Sequence, residues 1–176
     1  MIIKKDEVRN MCKLVAPKYG FDWRLIYAVC LQECDKEKDG SFDPSVARVE
    51  QRYYRKYTEV FDLATTTEVL LATSYGVMQM MGQSLNEAGY FKWFFYSQSQ
   101  RTQNHYGNPL SEISIVKAIN KYCVNLEWMI RWGCKWMAVK REKAKNNERL
   151  MLTYWNGSSA YPDEIYKRLE TIKAET

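Results

Sequence analysis

Glu33 closes an apolar run, Leu25-Ile26-Tyr27-Ala28-Val29-Cys30-Leu31-Gln32-Glu33. On a helix, residues 26, 29, 30 and 33 share one stripe, at i, i+3, i+4 and i+7. The first three, Ile26, Val29 and Cys30, favour the core, and the fourth is an acid. An ionised carboxylate is costly to bury, so it must either be paired or hold its proton to higher pH. A carboxylic acid that stays protonated near neutrality can serve as a general acid. The plainer alternative is a helix end turning into solvent, and Asp35-Lys36-Glu37-Lys38-Asp39-Gly40 does read as a solvated loop. Taken alone, the stripe favours that alternative.

Two further segments carry polar groups in unusual settings. Ala72-Thr73-Ser74-Tyr75-Gly76-Val77-Met78-Gln79-Met80-Met81-Gly82 is a tight Gly turn feeding an apolar stretch with one amide in it. Tyr154-Trp155-Asn156-Gly157-Ser158 is an aromatic pair followed by a turn. Each has an ordinary structural explanation. Gly76 can be a simple break, Gln79 a satisfied core amide, Tyr154 and Trp155 packing, and Asn156-Gly157 a helix stop.

The elements that must position these residues read mostly as helix. Residues 5–16 place Val8, Met11, Cys12 and Val15 on one stripe and stop near Pro17 and Gly20. Asp22 is a good N-cap for the helix that bears Glu33. Thr65-x-x-Glu68 and Ser84-x-x-Glu87 have the form of capping boxes. The longest helix is expected from about 112 to about 140, with Ile115, Ile119, Tyr122, Cys123, Leu126, Met129, Ile130, Gly133 and Met137 on its buried stripe. A shorter helix follows around 147–155. A last one begins at Pro162 and carries Ile165, Leu169 and Ile172. Residues 41–62 fit both a helical and an alternating period, so a small β element around residues 40–62 stays open. With no repeat, low-complexity linker or composition break, the expectation is one mainly α domain covering 1–176.

Composition excludes several classes. The 176 residues are 46% hydrophobic and 14% aromatic, which marks a globular chain. No run of about 18 apolar residues exists, so no membrane insertion is expected. The N-terminus meets charge at once and shows no apolar leader or cleavage site, so synthesis in the cytoplasm without a signal peptide is expected. The net charge of +5 suits polyanions, either nucleic acid or an anionic cell envelope, and by charge alone it suits an ordinary mildly basic protein at least as well. Five cysteines, at 12, 30, 34, 123 and 134, form no CxxC pair, which argues against a disulfide framework. The single histidine, His105, leaves a zinc site short of ligands and a Ser-His-Asp or Cys-His mechanism without supporting motifs. No metal and no cofactor is expected.

In their order along the chain, Gln32-Glu33-Cys34, Gly76-Val77-Met78-Gln79 and Tyr154-Trp155-Asn156-Gly157 resemble the soluble lytic transglycosylase and goose-type lysozyme family. In that family an apolar helix ends in Gln-Glu-Ser, a Gly-Leu-Met-Gln segment follows, and Tyr-Asn-Ala-Gly closes the domain. The resemblance spans roughly residues 20–170 and implies a lysozyme-like single catalytic domain. Three features depart from the pattern. Cys34 stands where the family has Ser, Trp155 is inserted in the closing element, and the 36–72 segment is longer than usual. That segment carries Arg48-Val49-Glu50-x-x-Tyr53-Tyr54, which looks like a motif of phage-type relatives.

The resemblance implies cleavage of the β-1,4 bond between N-acetylmuramic acid and N-acetylglucosamine in peptidoglycan glycan strands. Glu33 would protonate the glycosidic oxygen. Gln79 and the backbone of Ser74, Tyr75 and Gly76 would line the sugar groove, and Asn156 belongs to the closing substrate-binding motif. Tyr154 would hydrogen-bond Glu33 or the nearby acetamido group. Hydrolysis needs a second carboxylate about 5 to 9.5 Å from the acid, whereas a transglycosylase lets the sugar's own hydroxyl attack. Glu50 is the candidate second carboxylate; its alternative is a surface acid paired with Arg48 or Arg52. The transglycosylase type is the expectation, with a hydrolytic lysozyme using Glu50 as the alternative. A third reading is a non-enzymatic basic helical protein of a virion or for nucleic acid, but no recognition motif for nucleic acid appears. The expected protein is a phage endolysin-like monomer that reaches the wall through holin-type release or as a virion component.

Overall fold

A computed structural model describes residues 3–34, 41–42, 48–49, 69–99 and 112–175. Among them the chain is mainly helical with short strands. The order is β1 (Ile3–Lys4), α1 (Lys5–Val15), a 3-10 turn (Ala16–Tyr19), α2 (Trp23–Cys34), β2 (Ser41–Phe42), β3 (Arg48–Val49), β4 (Thr73–Tyr75) and β5 (Met80–Met81). Then follow α3 (Gly82–Glu87), α4 (Tyr90–Ser99), α5 (Glu112–Cys123), α6 (Leu126–Lys143), α7 (Glu148–Asn156) and α8 (Tyr161–Ala174). No helix among the described residues is long and apolar enough to cross a membrane.

The helix that carries Glu33 is buried on every side over part of its length. Leu25 through Cys30 are six consecutive buried residues, which only a helix enclosed by others permits. It packs against α1 and α8. α1 contributes Val8, Cys12 and Val15, as the sequence stripe predicts. Asp22 caps α2 as expected: Arg24 N donates to its Oδ1 at 2.8 Å. The five cysteines all lie among the described residues, and all are thiols.

The stretch that fits two periods contains strand. β2 pairs antiparallel with β1, Ile3 opposite Phe42. β3 pairs antiparallel with β4, Val49 opposite Thr73 and Arg48 opposite Ser74, and β4 pairs with β5. The three-stranded sheet β3-β4-β5 therefore brackets the Gly76–Gln79 turn, which joins β4 to β5.

Two helix expectations are corrected. The single helix from 112 to 140 is two helices, because the chain breaks at Val124-Asn125 and Asn125 starts α6, its side chain accepting from Trp128 N at 3.0 Å. The apolar stripe runs through both halves, so periodicity alone conceals the break. Ser84 is not an N-cap: α3 begins at Gly82, with Ser84 inside it and Glu87 as its last residue. Gly82 starts that helix pressed against the backbone of Leu70, where a Cβ would overlap the Leu70 carbonyl oxygen. The other helices stand near their expected places. Asn147 caps α7, accepting from Leu150 N at 2.9 Å, and α8 starts one residue before Pro162. Thr65, Glu68, His105 and Glu50 lie outside the described residues.

Candidate active site

Successive residues on a helix point about 100° apart, so the last three residues of α2 reach three different partners. Gln32 meets α8: its Nε2 donates to Glu164 Oε2 at 2.6 Å, and its Oε1 accepts from Arg168 Nε at 2.6 Å. Glu33 meets α7 and α8: its Oε1 accepts from the Tyr161 hydroxyl at 2.6 Å and from the Trp155 indole Nε1 at 3.4 Å. Cys34 meets the β4–β5 turn, where its Sγ donates to the Gly76 carbonyl at 3.4 Å and Gln79 Nε2 lies 3.8 Å from the sulfur. Gln32, Glu33 and Cys34 are all half-buried.

The environment of Glu33 is tuned by its neighbours. Tyr161 is 3% exposed, and burial first, then the Glu33 charge and the bond to it, push its hydroxyl far above the usual tyrosine value. Tyr161 therefore keeps its proton and remains a donor to the carboxylate. One turn back on α2, Cys30 is raised well above the ordinary thiol value. Burial is the main cause, followed by Cys12 and then the negative charge of Glu33. The acid thus sits where an apolar helix face meets two donors, the Tyr161 hydroxyl and the Trp155 indole.

The turn beside it is closely built. Gly76 has φ +74°, and a Cβ there would lie 2.9 Å from both Met129 Sδ and Tyr122 Cε1. Only glycine meets both the backbone and the space requirement. Gln79 has φ +45°, a sparsely populated conformation for a residue with a side chain. Its backbone N and its Nε2 both donate to the Gly76 carbonyl, at 3.0 and 2.9 Å. One carbonyl oxygen thus gathers the turn, the amide and the Cys34 thiol.

The sequence-predicted residues divide into those brought together and those held apart. Gly76 and Gln79 meet Cys34, the residue after Glu33, and Trp155 meets Glu33 itself. Ser74 and Tyr75 are buried in β4, and the Tyr75 hydroxyl donates to the Leu70 carbonyl at 3.0 Å, which serves the local turn. Burial of that hydroxyl raises its pKa to about 12. Asn156 is exposed and ends α7, with Gly157 in the left-handed conformation as its C-cap.

Tyr154 requires a correction. It is 36% exposed, with the Lys143 ammonium 5.1 Å from its ring centroid, and the hydroxyl that reaches Glu33 belongs to Tyr161. The physical reason is the helical register of α7, where the inserted Trp155 takes the inward direction and turns Tyr154 outward.

Tyr161 was legible in principle. Stepping one helical turn back from Ile165, along the Ile165–Leu169–Ile172 stripe, lands on it. A hydroxyl at the head of an apolar stripe is the same kind of signal as an acid at the end of one. Glu164 and Arg168 carry no such signal, since their partner Gln32 lies on another helix.

Comparison of the chain with protein-family models, with curated proteins and with solved structures finds no match.

Proposed function

We propose that the chain is a peptidoglycan-cleaving muramidase of the lytic transglycosylase type, with Glu33 as the catalytic acid. The observation that carries this reading is the convergence on one carboxylate. Glu33 ends a buried helix, accepts from Tyr161 at 2.6 Å and from Trp155 at 3.4 Å, and is followed directly by a thiol bonded to the Gly76 carbonyl. Trp155, from the closing motif, reaches Glu33 directly, and the Gly76–Gln79 motif is held against the next residue, Cys34.

In this reading Oε1 is held by the Tyr161 and Trp155 donors, and the proton is delivered from Oε2. The glycosidic oxygen between N-acetylmuramic acid and N-acetylglucosamine takes that proton as its bond to muramic C1 breaks. The Glu33 carboxylate then removes the proton from the C6 hydroxyl of the same muramic residue as that oxygen attacks C1. A 1,6-anhydro ring forms, and Glu33 is again protonated. Gln79 and the Gly76 turn form a wall of the sugar groove beside the acid. The protein would reach the cell wall after holin-type release from the cytoplasm or as a virion component.

The hydrolytic alternative is kept because β3, Arg48–Val49, lies in the same sheet as the strand that leads into Gly76. Glu50 follows Val49 directly, and a carboxylate placed across from Glu33 would activate water in place of the sugar hydroxyl.

The deciding experiment digests purified peptidoglycan and weighs the soluble products. Muropeptides with anhydro ends, one water lighter than reducing ends, are expected. Reducing ends would establish the hydrolytic alternative, and no soluble product from folded protein would overturn the enzymatic reading.

A further inference from the structure

One face of α8 carries Tyr161, Glu164 and Arg168, at i, i+3 and i+7, and two consecutive residues of α2 receive all three. Glu33 accepts from the Tyr161 hydroxyl at 2.6 Å. Gln32 donates to Glu164 Oε2 and accepts from Arg168 Nε, both at 2.6 Å. An amide suits this place because one end donates and the other accepts. The Arg168 bond is charge-assisted and half-buried, so it is the firmer of the two; Glu164 is exposed, and water competes there.

These bonds do something that apolar packing does not. Ile165, Leu169 and Ile172 are buried and hold α8 in the core. That burial is non-directional, whereas hydrogen bonds to a planar amide fix distance and angle. The first turn of α8, which bears Tyr161, has Ala160 as its N-cap and no side-chain cap. Asp163 in that turn pairs with Arg149 of α7 at an exposed site, and Gln32 supplies the link to α2. Tyr161 and Arg168 are separated by about 10 Å along the helix, so a hold at Arg168 sets the place of Tyr161 through a rigid rod. A shift of about 1 Å along the Tyr161–Glu33 bond would take it out of hydrogen-bond range.

We propose that Gln32 is a positioning residue: held between Glu164 and Arg168, it fixes where α8 sets the Tyr161 hydroxyl on Glu33. Its effect on catalysis rests on the muramidase reading; its effect on the Tyr161–Glu33 pair does not.

The test uses the intact protein and two readouts. The first needs no substrate. The indole N–H of Trp155 points to the same Glu33 oxygen as Tyr161, and its nitrogen-15 NMR peak, one of six from tryptophan side chains, is assigned by its loss in Trp155→Phe. Gln32→Met keeps the length of the side chain and removes both bonds, and it should shift that peak. Tyr161→Phe should shift it too, and adding Gln32→Met to Tyr161→Phe should move it little further. The second readout is turnover of peptidoglycan. Gln32→Met should lower kcat by about tenfold with KM nearly unchanged, and by less than about twofold when Tyr161→Phe is already present. Glu170→Gln, at an exposed position of the same helix, should match wild type in both readouts. Thermal melting checks folding, and Glu164→Ala, at an exposed site, replaces Gln32→Met if that variant does not fold and should move the same peak. An unmoved Trp155 peak in the folded variant overturns the proposal, as does a kcat loss that is equally large with and without the Tyr161 hydroxyl. A shifted peak together with a wild-type protein that releases no product removes the muramidase reading and leaves the positioning of Tyr161 standing.

Discussion

The two ends of α2 are both polar, and they are satisfied in opposite ways. At its start, Asp22 accepts from the backbone of Arg24 at 2.8 Å and faces the Arg24 guanidinium at 3.4 Å, two residues away. At its finish, Gln32, Glu33 and Cys34 are bonded to residues 42 to 136 positions away. The first arrangement forms with the helix and stabilises it whatever the rest of the chain does. The second exists only once α7, α8 and the β4–β5 turn are in place, so it contributes nothing to helix formation. Polar groups on an apolar helix that are satisfied only from afar are held by the fold as a whole. Such positions can carry chemistry, because the surrounding structure sets their geometry independently of local propensity.

That contrast is broken most directly at Glu33. Glu33→Gln keeps an amide oxygen to accept from Tyr161 and removes the transferable proton. We expect wall-clearing activity to fall by about 10²–10⁴-fold, with a melting temperature equal to or above that of wild type. Activity within threefold of wild type would show that the far end of α2 is held for structural reasons alone.

Next in size is Gly76→Ala, which forces a Cβ against Met129 and Tyr122 and strains a left-handed φ. A loss of about 2–4 kcal/mol is expected from urea unfolding. An unchanged midpoint would mean that the turn relaxes away from α5 and α6.

Tyr161→Phe separates the two tyrosines. It removes a hydrogen bond to a carboxylate, worth about 1.5–3 kcal/mol, and activity should drop by about tenfold or more with KM nearly unchanged, since the group acts on the acid. Tyr161→Phe with full activity would return the positioning role to other groups around Glu33.

At the opposite end of the helix, Asp22→Ala should cost about 0.5–2 kcal/mol of stability while leaving activity per folded molecule unchanged. A selective loss of activity in this variant would mean that the two ends are not independent.

The smallest effect is expected from Tyr154→Phe. Its ring is exposed and its hydroxyl is not directed to Glu33, so stability should stay within about 0.5 kcal/mol of wild type, and activity should follow it.

Much of this arrangement can be read from local pattern. The Val8, Cys12 and Val15 face of α1, the Asp22 cap and the Pro162 start of α8 all follow from rules that act within one or two turns. Glu33 stands out because an acid on an apolar stripe conflicts with its surroundings. The break at Val124-Asn125 stays hidden because the apolar period continues through it. Ser84 misleads because a Ser-x-x-Glu spacing inside a helix looks the same as one at its start. Tyr154 misleads because the residues on either side of a one-residue insertion exchange faces, and only the packing of α7 decides which aromatic turns inward.

The sequence by itself determined a mainly helical chain and one acid out of place on an apolar helix, because burial periodicity and capping depend on neighbours within a few residues. The tertiary structure alone decided what answers that acid. Tyr161, Trp155 and the Gly76 turn come from helices and a sheet far along the chain, as do the Glu164 and Arg168 partners of Gln32. Their convergence depends on how α2, α7 and α8 pack, and no spacing within a single element encodes that packing.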